Sequence, residues 1–181
     1  MKTLQIYTEI TPNPLSLKFV TEKILFSGAA DFPTKAEAET SPFASAVYQL
    51  SYVNGVFFSG NFVTVTKSDA ANWEEVIPEI KDNIRKLIES NAFIAESSQN
   101  GAGGDGTEAE RKIRMLIDEQ VRPAVAMDGG DIIYEGFDDG VVKLKLRGSC
   151  SGCPSSTFTL KAGIEALLMR MVPEVKSVEA V

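Results

Sequence analysis

A glycine- and serine-rich segment near the middle of the chain does most to limit what this sequence can fold into. The stretch 96–106 contains four glycines and no large apolar residue, a composition typical of a flexible linker. It separates residues 1–95 from residues 107–181, and each part is small for a domain. We therefore expect two small two-layer α+β domains, each with its own core, joined by a flexible linker.

The first part, residues 1–95, predicts several short strands and two helices. Ser41 and Pro42 have the types preferred at the N-cap and at the first helical position, so a helix should begin there. A second helix is expected over 73–90, with Trp73 as the residue that packs it against the core. The expected strands cover residues 3–8, 15–20 and 24–26, and a hairpin is expected over 56–66.

The second part, residues 107–181, predicts the element order α-β-β-α-β. Thr107 and Glu110 have the spacing of a capping box, and the helix that they open should end at Pro123. Residues 128–131 predict a turn with a structural role, and a second apolar helix follows the cysteines until Pro173. The expected strands cover residues 132–137, 141–147 and 175–181.

The spacing of apolar residues predicts which faces of this part are buried. In the strand 141–147, one face should be buried and the other basic, because Val142, Leu144 and Leu146 alternate with Lys143, Lys145 and Arg147. The apolar faces of the two helices should lie in the core. They contain Ile113, Leu116, Ile117 and Val121 in the first helix, and Leu160, Ile164, Leu167, Leu168 and Met171 in the second.

Charge and hydropathy exclude two classes of partner. The formal net charge of −7 argues against a nucleic-acid partner, because phosphate binding needs a basic face. No apolar run approaches the roughly 18 residues of a membrane span, so no membrane partner is expected. The N-terminus resembles neither a signal peptide nor a presequence, which favours the cytoplasm and leaves a mature organellar form as the alternative.

The chain has only two cysteines, Cys150 and Cys153, and no histidine. Soft-metal chemistry must therefore use these two sulfurs, whereas a zinc site or an iron–sulfur cluster usually needs four protein ligands. Two copies of the chain would supply four sulfurs to one shared centre. The pair lies between a predicted strand and a predicted helix, where unpaired amides favour a thiolate. We expect an exposed loop that is open to ligand exchange.

Two other functions use the same residues. In a thiol–disulfide oxidoreductase, Cys150 and Cys153 would be the nucleophile and the resolving thiol, although the predicted antiparallel hairpin differs from the βαβ frame of thioredoxin-like proteins. In a zinc-bridged adaptor dimer, the same thiolates of two chains would hold one zinc ion.

Further spaced motifs accompany the cysteines in both halves of the chain. The C-terminal motifs are Arg122-Pro123, Asp128-Gly129-Gly130-Asp131, residues 141–146, Gly148-x-Cys150-x-x-Cys153-Pro154-x-Ser156, Thr159-Leu160-Lys161 and Gly163-Ile164-Glu165. The N-terminal motifs are Thr11-Pro12-Asn13-Pro14, Lys18-Phe19, Ser41-Pro42-Phe43-Ala44, Gly55-Val56, Phe57-Phe58, residues 62–67 and Trp73. The C-terminal half resembles the NifU-like C-terminal domain, and the N-terminal half resembles the Nfu N-terminal domain.

The resemblance implies an Nfu-type iron–sulfur cluster carrier that is not an enzyme. In such a carrier, Cys150 and Cys153 of two protomers would hold one bridging [4Fe–4S] cluster, and a [2Fe–2S] form stays an alternative. The loaded protein would be a homodimer that receives its cluster from an upstream donor and passes it to apo-proteins. With no metal-binding residue, the N-terminal domain would recognise clients or partners.

Overall fold

The chain folds as two compact units in a computed structural model that describes residues 4–90, 106–151 and 154–181. The units are Met1–Gln99 and Asn100–Val181. Each combines helices with its own β-sheet, which confirms the α+β class. The predicted linker 96–106 lies outside the described residues except for Gly106, and its flexibility stays a prediction.

The first unit contains a five-stranded antiparallel sheet with the strand order β1-β2-β5-β4-β3. Its strands are β1 (Ile6–Ile10), β2 (Ser16–Thr21), β3 (Ala29–Phe32), β4 (Val53–Ser59) and β5 (Phe62–Lys67). Its helices are α1 (Lys35–Ala38), α2 (Pro42–Val47) and α3 (Trp73–Glu89). The helices α2 and α3 contribute to the same apolar core as the three central strands.

Aromatic rings form the centre of this core. Phe26 stacks on Phe58 with 4.2 Å between ring centroids, and Phe43 of α2 meets Phe26 edge-on at 5.3 Å. The helix starts follow the sequence-based prediction. The Ser41 side chain accepts a hydrogen bond from the backbone amide of Ala44, and Trp73 packs against the core while its Nε1 donates to the Pro14 carbonyl at 3.0 Å.

One predicted strand of the first unit is wrong. Residues 24–26 form a connection, because the amides of Leu25 and Phe26 both donate to the carbonyl of Gly60 and not to a neighbouring strand. The edge strand lies further along, at β3, and the short helix α1 was not predicted. In α1, Thr34 serves as N-cap and its side chain accepts from the Glu37 amide.

The second unit has the predicted order α-β-β-α-β. Its elements are α4 (Glu108–Leu116), a turn of π-helix (Ile117–Val121), α5 (Arg122–Met127), β6 (Gly130–Asp138), β7 (Val141–Gly148), α6 (Pro154–Met171) and β8 (Ser177–Ala180). The sheet order is β6-β7-β8, with β6 antiparallel and β8 parallel to β7. The parallel pair requires a crossover, which α6 supplies.

The first helix of this unit does not end at Pro123. The helical path continues through α5 to Met127, after one turn of π-helix that ends at Val121. A proline lacks the amide of an ordinary helical turn and crowds the turn before it, and a widened turn relieves both problems. Pro123 therefore lies in the first turn of α5, a position that proline favours.

The core of the second unit follows the predicted apolar faces with one exception. Ile113, Leu116, Ile117 and Val121 are buried, as are Val142 and Leu144 of β7, while Lys143 and Lys145 of that strand are exposed. In α6, Met171 was expected in the core but is exposed, and Val172 is buried after it. None of the described helices combines the length and the apolar character that crossing a membrane requires.

Candidate metal-binding loop

The loop that carries Cys150 joins β7 to α6, at the predicted strand-to-helix junction. Gly148 ends β7 with φ of 70°, a left-handed conformation that glycine adopts at little cost. The amide of Ser151 donates to the Gly148 carbonyl at 3.0 Å and closes a tight turn. The helix α6 then begins at Pro154. Gly152 and Cys153 lie outside the described residues, so the position of the second cysteine stays a prediction.

Cys150 is buried, contrary to the expectation of an exposed loop. Its residue is 2% exposed and belongs to the apolar core of the second unit. The space for its sulfur exists because residue 130 has no side chain. A Cβ atom at Gly130 would lie 3.0 Å from the Cys150 Sγ and 2.5 Å from the Arg147 carbonyl oxygen.

The segment Asp128-Gly129-Gly130-Asp131 forms the surface on which the loop rests. Gly129 has φ of 80° and makes the turn into β6, which begins already at Gly130. Ser149, only 1% exposed, donates its hydroxyl to the Asp128 carbonyl and its amide to the Gly129 carbonyl at 3.3 Å. The predicted structural role of this turn is thereby specified: it positions the residue before Cys150.

Arg122 fastens the same turn to α5. Its Nη2 donates to the Ile132 carbonyl at 3.2 Å, and its Nε lies 3.5 Å from Oδ1 of the buried Asp131, at ion-pair distance but without hydrogen-bond alignment. A buried carboxylate needs a cationic partner, because burial removes its hydration. Arg122 and Asp131 lie in separate motifs of the sequence, and nothing in their spacing predicts that the two side chains contact each other.

The other side of the loop is attached to α6. Thr157 Oγ1 donates to the Cys150 carbonyl at 3.1 Å. Next to these contacts lie two exposed apolar residues. Met127, which precedes Asp128, is 75% exposed, and Phe158, which follows Thr157, is 74% exposed. Each of them is next in the chain to a residue that holds the loop, Asp128 or Thr157; we call Met127 and Phe158 the apolar rim.

We next ask whether other potential metal-binding side chains form a cluster with Cys150. The described ranges 4–90, 106–151 and 154–181 contain no group of three or more Asp, Glu, Cys and His residues that could hold a metal ion.

A second polar cluster of this unit has a structural role. Glu110 forms the predicted capping box with Thr107 and also accepts a hydrogen bond from the Tyr134 hydroxyl at 3.0 Å. Burial, and then the contact with Glu110, raises the pKa of Tyr134 to about 12. The hydrogen bond from the Thr107 amide, and then that from Tyr134, lowers the pKa of Glu110. The cluster joins the start of α4 to β6.

Comparison with known families assigns both halves of the chain. Residues 113–179 match the NifU-like domain, and residues 6–91 match the family described as scaffold protein Nfu/NifU N terminal. Among solved structures, a solution NMR structure of a NifU-like protein from Saccharomyces cerevisiae superposes with a TM-score of 0.48 and 23% identity, covering 54% of this chain and 89% of that chain.

Curated relatives match over almost the whole chain. NifU-like protein 4, mitochondrial, of Arabidopsis thaliana is 45% identical, covering 98% of this chain and 66% of that protein. The NFU1 iron-sulfur cluster scaffold homolog, mitochondrial, is 43% identical in Homo sapiens, covering 97% of this chain and 71% of the human protein. In Drosophila willistoni, the protein of that name is 41% identical, covering 99% of this chain and 64% of the fly protein.

The chain thus spans about two thirds of the length of these relatives. Their names place all three in mitochondria, which does not support the expected cytoplasmic compartment and agrees with its alternative, a mature organellar form. Sequence identity to these relatives exceeds 40% over alignments that include both matched domains. Such identity indicates membership of one family and not only a shared fold. The chain belongs to the family of Nfu-type NifU-like proteins.

Proposed function

We propose that this protein is an iron–sulfur cluster scaffold and carrier that delivers its cluster to apo-proteins. In the loaded form, Cys150 and Cys153 of two protomers hold one bridging [4Fe–4S] cluster, which is the cargo of the protein. We also propose the domain limits 1–95 and 107–181 with the linker 96–106 between them. The observation that carries the proposal is a thiol pair at a strand-to-helix junction in a chain 43% identical to a protein named iron-sulfur cluster scaffold.

The donor set fits such a cargo. Thiolate sulfur is the ligand that iron–sulfur clusters prefer, and a cubane cluster usually takes four cysteines. One chain offers two, so two chains make a complete ligand set. The carbonyl of Cys150 is held from α6 and the preceding Ser149 from the turn 128–129, which leaves the loop anchored on both sides of its metal-binding residue.

The apolar rim supports a second copy of the chain as the partner. A shared centre brings the loops of two protomers close together, so Met127 and Phe158 of each copy would lie at the contact. Apolar side chains that become buried between protomers stabilise a dimer, because their surface is removed from water. The same loop then opens to a client when the dimer releases its cluster.

Delivery of a cluster is ligand exchange with client cysteines, and it needs no acid, base or nucleophile of an enzyme. We therefore propose a carrier without catalytic residues, which takes its cluster from an upstream donor. The N-terminal domain would recognise the client or another partner, because neither cysteine belongs to it.

Anaerobic reconstitution of the full chain with iron and sulfide, followed by Mössbauer spectroscopy, tests the proposal. We expect a brown protein with four iron and four sulfide per dimer, and the spectrum distinguishes a [4Fe–4S] from a [2Fe–2S] cluster. A colourless dimer with half an equivalent of zinc per chain would favour the zinc adaptor. Catalytic reduction of insulin disulfides by a chain that holds no iron would favour the oxidoreductase.

A further inference from the structure

The burial of Cys150 conflicts with its proposed role. A metal ligand needs at least one direction open to the metal, yet the Cys150 residue is 2% exposed and its sulfur packs beside the Gly130 backbone. The described conformation is therefore one in which this thiol faces inward. A second, outward conformation is required before the sulfur can reach a centre shared with another protomer.

Ser149, the residue before Cys150, is hydrogen-bonded to the turn beside which the sulfur packs. It is 1% exposed and makes two hydrogen bonds to the turn before β6, one from its hydroxyl to the Asp128 carbonyl and one from its amide to the Gly129 carbonyl. The hydrogen bond from the backbone amide could form with any residue except proline at this position, whereas the hydrogen bond from the hydroxyl depends on the serine side chain. The Ser149 oxygen also lies 3.9 Å from the Cys150 sulfur, at weak hydrogen-bond distance, so moving this sulfur outward breaks that contact.

We propose that Ser149 is a positioning residue that keeps the Cys150 thiol sequestered over the Gly129–Gly130 turn, and that cluster loading requires release of this contact. Only the last step rests on the proposed function, because sequestration of the thiol is a property of the chain without a cluster. The energetic scale is set by one hydrogen bond in a buried place. Such a bond contributes about 1 kcal/mol, equivalent to about fivefold in the population of the open loop.

Thiol alkylation measures the sequestration directly. In a Cys153→Ser background, iodoacetamide reports on Cys150 alone, and the reaction rate at fixed pH is compared between the native chain and the chain unfolded in guanidinium. We expect the native rate to be at most about one tenth of the rate in the unfolded chain, since the loop must open locally before the reagent can enter. Equal rates in the two states would overturn the proposal without any further substitution.

Substitutions of two serines in the same loop form a matched pair that tests the role of Ser149. Ser149→Ala removes the hydroxyl bond to Asp128 and should raise the native alkylation rate about fivefold. Ser151→Ala removes an exposed hydroxyl and should leave the rate unchanged. Circular dichroism checks that both variants fold. An unchanged rate in Ser149→Ala, or an equal rise in Ser151→Ala, would show that Ser149 has no special hold on the cysteine.

A variant on the other side of the contact gives an independent measurement. Gly130→Ala places a methyl group 3.0 Å from the Cys150 sulfur and should displace it, so the alkylation rate should rise although Ser149 is intact. If the rate falls or stays constant, the sulfur does not occupy the described place in solution.

The loading step is tested with both cysteines present. The initial rate of iron incorporation should be about fivefold higher in Ser149→Ala than in the unsubstituted chain, with the same final iron content. Equal initial rates would overturn the link between release and loading. A chain that never incorporates iron would instead refute the proposed function, while alkylation would still decide whether Ser149 sequesters the thiol.

Discussion

At the scale of single residues, the missing side chain of Gly130 shapes the candidate site. Its Cα lies against the Arg147 carbonyl and the Cys150 sulfur so closely that a Cβ would approach them to 2.5 and 3.0 Å. Backbone atoms of two paired strands cannot move apart without loss of their hydrogen bonds. The glycine is therefore required by close approach, since its φ does not lie in the left-handed region.

Gly130→Ala should lower the free energy of unfolding of the second unit by about 1–3 kcal/mol, the usual effect of overpacking. Gly136→Ala, in the same strand β6, is the matched control, because a Cβ there would meet nothing within 4 Å. Thermal unfolding followed by circular dichroism compares both variants with the unsubstituted chain. Equal midpoints for the two variants would mean that the space beside Cys150 is less tight than described.

Replacing either cysteine should abolish stable cluster binding. With no spare cysteine and no histidine in the chain, nothing substitutes for the lost ligand in Cys150→Ser or Cys153→Ser. Iron and acid-labile sulfide are measured after reconstitution. Because Cys150 is buried in an apolar core, Cys150→Ala serves as a second variant that introduces no polar atom, and circular dichroism checks the fold. Full iron loading in any of the three variants would contradict the assignment.

At the scale of elements, sequence patterns predicted what local chemistry determines. The serine cap of α2, the capping box of α4 and the alternation along β7 depend on residues close together in the chain. The two caps were confirmed, and the alternation holds from Val142 to Lys145 before Leu146 and Arg147 both become half-buried. The continuation of the helix past Pro123 depends on a π-helical turn, and no residue type in the sequence predicts such a turn. The burial of Cys150 depends on Gly130, twenty residues away in the chain, and such non-local contacts leave no periodic signal.

The Glu110 cluster gives an element-scale prediction with a defined pH dependence. Glu110→Gln should lower the unfolding midpoint of the second unit more than Glu108→Gln does. Both residues lie in the first turn of α4, but only Glu110 accepts from Thr107 and Tyr134. Because folding lowers the pKa of Glu110, the carboxylate stabilises the fold fully above its ordinary value of 4.5 and loses this effect as the pH falls below it.

The comparison is made by thermal unfolding of the two variants at neutral pH and again at acidic pH. The difference between them should be largest at neutral pH and should shrink as Glu110 becomes protonated. A difference that grows on acidification would contradict the sign, and it would mean that the carboxylate is less favourable in the folded state than in the unfolded chain.

At the scale of the whole molecule, cluster binding should drive dimerisation. Each chain has half of a four-sulfur set, so the free energy of metal binding is also free energy of association. Anaerobic size exclusion with light scattering should show a mainly monomeric apo form and a dimeric loaded form. A loaded monomer that keeps its cluster would contradict bridging and would require outside ligands such as small thiols.

Phe158→Asp, which places a charge in the apolar rim, should weaken the loaded dimer, while Phe158→Leu should not.

The division into two units predicts a division of labour. Both sulfurs belong to the C-terminal unit, so a fragment of residues 107–181 should load iron nearly as well as the full chain. The N-terminal fragment should load none.

If the linker is flexible, the N-terminal domain acts by raising the local concentration of the cluster near a bound client. Deleting residues 1–95 should then slow transfer to a client that binds this domain and leave loading unchanged. Iron content and transfer rate to an apo-protein, each measured with and without residues 1–95, separate the two effects. Loss of loading in the fragment would show that the N-terminal domain helps to form the site, which a tether does not do.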